Sequence, residues 1–179
     1  MSKHCPKTRY ELQKLVGDNG INLADICTCC VDDMSYIFAN STRQDFSGIE
    51  TWDTSRVKDM QGMFYNAEFF NHDINSWNVS SVKNMQEMFC GAVSFNKPLD
   101  KWRLLKVKNM EYMFGDATNF NKDISGWNVA SVKNMRSMFR NAKRFNSDLN
   151  GWNVKNVCDM RDMFENSPLE QNPPKWYKN

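Results

Sequence analysis

A hydrophobic cluster ends in Phe at Phe38, Phe64, Phe89, Phe114, Phe139 and Phe164, and from Phe64 onward the interval is always 25 residues. Trp52, Trp77, Trp102, Trp127 and Trp152 keep the same interval. A period of roughly 20 to 50 residues that returns a large apolar side chain to one slot marks a stack of units, each burying its apolar face on its neighbours. Such a stack fixes a scaffold far more tightly than it fixes a ligand.

The chain has 179 residues, the size of one domain, so the turns share one core. All but Met1 of the 12 Met residues fall in two repeat columns, which makes them scaffold and not a Met-rich binding surface. With 23 basic and 21 acidic residues the net charge is +2, which gives no general electrostatic case for nucleic acid or an anionic membrane. No apolar run is long enough to cross a membrane, and no charged-then-apolar leader precedes the repeats.

Within the unit that starts at Trp77, Val82, Met85, Met88, Phe89 and Ala92 step by three or four, the spacing of one face of a short helix. The stretch from Phe95 through Leu99 to Trp102, bounded by Asn, Asp and Pro, fits a short extended segment. The expected fold is therefore an α/β repeat solenoid of about six turns, each with one short strand and one short helix. Strands pack closer than helices, so such a stack bends with its strand side concave. The residues just ahead of each Trp, including Asn75, Lys101 and Asn150, are expected on that surface.

Three segments follow: an N-terminal capping helix (1–19), a repeat solenoid (20–167) and a C-terminal cap or tail (168–179). Thr8 and Glu11 have the spacing of a capping box ahead of Leu12, Leu15 and Val16, with Gly17 as the stop. At the other end the register reaches Tyr177 where a Trp is due, and Pro168, Pro173 and Pro174 suit a degenerate last turn.

The phrases Trp127-Asn-Val-Ala-Ser-Val132-Lys-Asn-Met135-Arg-Ser-Met138-Phe139 and Phe120-Asn121-Lys-Asp123-Ile124-Ser-Gly-Trp127 resemble the repeat of the BspA-like leucine-rich-repeat proteins, in the mycoplasma-lipoprotein-type variant. The likeness covers roughly residues 20–167. It implies a bacterial, right-handed, leucine-rich-repeat-like solenoid engaged in adhesion or protein binding, and it supplies no catalytic residues. It also implies a cell-surface or secreted protein. The absence of a signal peptide or lipobox in the sequence points instead to the cytoplasm.

Regular Trp residues in such a stack read as core and not as a ligand platform. Asn71, Asn96, Asn121 and Asn146 read as inward amides tying successive backbone turns. Lys58, Lys83, Lys108 and Lys133 align into a stripe that can grip phosphate or an acidic partner, or simply face solvent. Asp73, Asp123 and Asp148 suit hydrogen bonds to turns better than Ca2+, since Pro98 interrupts their row.

Cys5, Cys27, Cys29 and Cys30 lack paired zinc spacing and, with Cys90 and Cys158, read as reduced thiols; zinc at Cys27, Cys29 and Cys30 is the alternative. No metal, cofactor or catalytic residue is assigned, because His4 and His72 stand apart from any nucleophile. Partner contacts fall to large side chains that break the pattern at slots expected to be exposed: Tyr65, Phe69, Leu104, Leu105 and Tyr112, with Asn75, Lys101 and Asn150 on the concave row. The function expected is a non-enzymatic protein-interaction module of BspA-like type, for adhesion or host contact. Carbohydrate or surface-polymer binding through exposed aromatics is the alternative. A protein partner, no nucleic acid, no membrane insertion and a monomeric chain complete the expectation.

Overall fold

The computed structural model describes residues 4–178, so residues 1–3 and 179 of the terminal segments lie outside the described residues. Among the described residues there is one α-helix, α1 (Arg9–Val16), three single-turn 3-10 helices at Leu23–Asp25, Ile49–Thr51 and Pro168–Glu170, and no β-strand. Isolated parallel bridges join Asp33, Asp59, Asn84, Asn109, Asn134 and Asp159 in succession; they fall at the start of the stretch expected to be helical, and the stretch from Phe95 to Trp102 expected to be a strand holds none. Loops of the chain lie on one another, and each loop is built from turns.

This corrects the expected leucine-rich-repeat-like α/β solenoid with a strand and a helix in every turn. The physical reason lies between Met85 and Phe95. The N–H groups of Met88, Cys90, Ala92 and Phe95 donate to carbonyls three residues back, closing a run of tight turns. Those of Met85, Glu87, Phe89 and Gly91 leave the loop for the carbonyls of Asn109, Glu111, Met113 and Gly115, at 2.8–2.9 Å. Glu87 (φ 56°) and Gly91 (φ 69°) are left-handed at the third position of their turns, as a type II turn requires, which stops both a helix and a strand. The same pair recurs at Tyr36 and Asn40, Gly62 and Asn66, Tyr112 and Asp116, Ser137 and Asn141, and Asp162 and Asn166. Turns advancing by about three residues send Val82, Met85, Met88 and Ala92 inward, so the spacing imitates a helical face.

The core is a set of aromatic and Met columns. Phe64, Phe89, Phe114 and Phe139 are buried and stack at 5.4–5.6 Å between centroids. Each Trp has a further role. The Ile74 carbonyl accepts the Trp77 backbone N–H at 3.1 Å and the Trp102 indole N–H at 3.1 Å, so both its lone pairs are used. Ile49, Leu99 and Ile124 do the same for the next pairs along the stack. An indole supplies the stacking area and the donor that a buried carbonyl needs.

At the N-terminal end, Thr8 Oγ1 accepts the Glu11 N–H at 3.2 Å and Glu11 Oε2 takes the Lys7 N–H at 2.7 Å, so α1 begins where the capping residues place it. Leu12 and Val16 bury its inner face. Arg43, 5 % exposed, clamps the cap: its guanidinium donates to the carbonyls of Asp18 (2.7 Å), Ile21 (3.2 Å) and Asp45 (3.1 Å). At the C-terminal end Trp176, not Tyr177, continues the Trp column, stacking on Trp152 at 6.4 Å and donating to the Leu149 carbonyl at 2.7 Å. Tyr177 packs edge-on against Phe164.

Candidate docking face

The bridges define one face of the stack. Lys83 donates its backbone N–H to Lys58 at 2.8 Å, Lys108 to Lys83 at 2.8 Å and Lys133 to Lys108 at 2.9 Å, so four exposed lysines stand in line, one per loop. Sheet-like pairing sets their spacing at about 4.8 Å. Beside them runs the bridge column. Its side-chain oxygens cap turns: Asp59 Oδ1 accepts the Gln61 N–H at 2.8 Å, and Asn84, Asn109 and Asn134 repeat the bond two residues on. Their amides reach across to the previous loop, Asn109 to Gln86 Oε1 and Asn134 to Glu111 Oε2, each at 3.0 Å. The outermost member, Asp159, is gripped by the Arg161 guanidinium, which holds its carboxyl well below the usual range, at about 2.

The residues singled out from sequence scatter around this face. Tyr65 and Tyr112 are half-buried on it, in the columns of Arg140 and Glu87. Phe69 and Leu105 are exposed at 44 % and 58 %, in different columns. Leu104 is buried at 1 %, because its slot is that of buried Val79 and Val129, and it has no surface to offer a partner. Asn75 is also buried and acts within the scaffold, donating to Asp100 and accepting the Lys101 N–H at 3.0 Å. Lys101 is exposed. Asn150 accepts the Lys175 N–H at 2.9 Å and so holds the C-terminal segment. The Asn96, Asn121 and Asn146 N–H groups bond the side-chain oxygens of Asn71, Asn96 and Asn121 at 3.0–3.1 Å, tying loops together at the surface and not in the interior.

Sequence reading missed three things: the left-handed column Asn66, Gly91, Asp116, Asn141 and Asn166, whose Asn, Asp and Gly content was the one signal of it; the Arg43 clamp; and Trp176. Among the described residues no group of three or more His, Cys, Asp or Glu is arranged to hold a metal ion. His72 pairs with Glu50 at 2.8 Å. A cavity of about 590 Å3 opens at the C-terminal end beside Asp159, Arg161 and Tyr177, where the carboxylate and guanidinium are already engaged with each other.

The fold and this face together define a stacked-turn repeat protein with a polar, lysine-lined side. The chain belongs to the family described as Mycoplasma protein of unknown function, DUF285, which matches residues 16–119 and again 79–177. No curated protein and no solved structure matches it. The BspA-like leucine-rich-repeat assignment is corrected accordingly. The family carries no known function, and the fold lacks the strand-and-helix repeat that would present a BspA-like interaction surface for adhesion or host contact. Carbohydrate or polymer binding through exposed aromatics falls too, since Trp52, Trp77, Trp102, Trp127 and Trp152 are at most 4 % exposed, the stacked Phe rings are buried, and the exposed Tyr10 and Phe69 stand in separate columns. Among the described residues no helix is long and apolar enough to cross a membrane.

Proposed function

We propose that the chain is a non-catalytic scaffold that docks a partner protein through an acidic strip laid along Lys58, Lys83, Lys108 and Lys133. The observation that carries this reading is the lysine row itself. Like charges aligned in sheet register repel, so the scaffold loses stability by keeping them. Asp32 and Cys158 occupy the same slot at the two ends with the same backbone bonds, at 2.8 Å, so the turn does not need a lysine. Among the described residues, Lys58 has a carboxylate partner, Asp32 at 2.7 Å, while no ion pair joins Lys83, Lys108 or Lys133 to an acid. An acidic strip relieves that repulsion and gains charge complementarity.

Half-buried Asp59, Glu87 and Glu111 in neighbouring columns favour a protein surface of mixed charge over a uniform polyanion. The exposed large hydrophobics of the described residues are Tyr10, Phe69 and Leu105, in separate columns, which supports a monomer. Non-catalytic action is supported by the face's carboxylates being committed to turn N–H groups and side-chain amides.

The test uses a poly-glutamate peptide as the probe and a DNA duplex as the competitor. Binding to the peptide should weaken steeply with salt and fall at least ~10-fold in a Lys83→Glu/Lys108→Glu protein of unchanged melting temperature. Equal binding by that protein contradicts the reading, tighter binding to the duplex replaces it with nucleic-acid recognition, and turnover of a substrate by purified protein overturns its non-catalytic part.

A further inference from the structure

Four of the six cysteines gather at one exposed edge, outside the lysine face. Cys27 Sγ lies 2.9 Å from Cys29 Sγ, and Cys29 Sγ lies 3.7 Å from Cys30 Sγ. Cys5 reaches Cys27 from the N-terminal segment, where His4 pairs in parallel with Ile26 and accepts the Cys27 N–H at 2.8 Å.

The place of Cys27 in the repeat explains its chemistry. It stands in the column of Asp53, Asn78, Asn128 and Asn153, whose Oδ1 atoms each accept the N–H two residues on, at 2.9–3.3 Å. The turn therefore presents a site for an acceptor, and here the acceptor is sulfur. The geometry points to Cys27 and Cys29 as a peroxide-reactive dithiol, with Cys27 the attacking thiolate and Cys29 the resolving thiol.

The Cys29 thiol, the Cys29 backbone N–H and the Cys5 thiol all donate toward Cys27 and lower its pKa, against burial and the Asp53 carboxylate, which raise it. Cys29, hydrogen-bonded to Cys27 and Cys30, is pushed up to about 12 and keeps its proton. Cys27 is half-buried and Cys29 exposed, so a small oxidant has access.

The Cys27 thiolate attacks one oxygen of hydrogen peroxide; the O–O bond breaks, hydroxide leaves and takes a proton to become water, and Cys27 becomes a sulfenic acid. The Cys29 sulfur then attacks the Cys27 sulfur and gives up its proton, and the S–OH bond breaks with loss of water. In sum two thiols lose two electrons and two protons, and peroxide is reduced to two waters.

Cys158 is the internal reference: it is exposed, and its thiol donates to the Asn156 carbonyl at 3.7 Å, with no second thiol beside it among the described residues. With equimolar hydrogen peroxide at neutral pH, Cys27 should be consumed at least ~10-fold faster than Cys158, and mapping by mass should show a product two hydrogens lighter, linked Cys27 to Cys29. Cys29→Ser should leave Cys27 as a sulfenic acid captured by a 1,3-dicarbonyl reagent. Cys27→Asn restores the oxygen used by the other loops, so it should fold with an unchanged melting temperature and lose the fast reaction. Equal rates at Cys27 and Cys158, a fast phase that survives Cys27→Asn, or pairing of Cys27 with Cys5 overturns the assignment.

Discussion

At the scale of the residue, the structure turns on why Trp and not Phe keeps one of its columns. A buried Phe would supply the stacking area. It would leave a carbonyl such as Ile74's with one donor instead of two, in a place water does not reach. Trp102→Ala should cost about 3 to 5 kcal/mol through the cavity it leaves, and Trp102→Phe about 1 to 3 kcal/mol through the lost hydrogen bond and the smaller ring. Urea unfolding of the two proteins checks both values. A Trp102→Phe protein as stable as the parent would show the indole donor to be dispensable. Burial of these rings also ends their candidacy as a ligand platform, which is why the exposed lysines, and not the abundant aromatics, carry the functional reading.

At the scale of the element, the unit is a chain of turns whose corners need left-handed residues. Gly62 (φ 55°) is one of them, and a Cβ there would run into the Tyr36 ring. Gly126 has nothing within 4 Å of its would-be Cβ. Gly62→Ala should therefore lower stability by at least ~1 kcal/mol, while Gly126→Ala should be close to neutral, a contrast readable from two melting curves. Legibility in the sequence differs from element to element. The 25-residue interval, the capping residues of α1 and the burial of the Trp column all follow from periodicity and residue type. Turn against helix does not follow, because turns stepping by three residues bury the same positions as a helix face. The Asn, Asp and Gly column at Asn66, Gly91 and Asp116 is what separates the two, as these residue types tolerate left-handed backbone best. Exposure failed at Leu104 for a simpler reason: in a pair of adjacent variants one side chain must point in, and the slot shared with Val79 was the inner one.

At the scale of the whole molecule, loops stack through parallel backbone bonds and columns of like side chains, closed by α1 and the Arg43 clamp at one end and by Trp176 at the other. The stack aligns whatever each loop repeats, and the four lysines are the exposed consequence. The central claim is that each loop is made of turns bonded to the next loop and not of a strand and a helix. Proton–proton nuclear Overhauser effects test it most directly. The account predicts contacts between the Trp102 indole N–H and the backbone of Ile74, and between Lys58 and Lys83, with a continuous run of helical contacts only in Arg9–Val16 and isolated i to i+3 contacts at the three 3-10 turns. A continuous series of helical i to i+3 and i to i+4 contacts from Val82 to Ala92, repeated in the following loops, would contradict it.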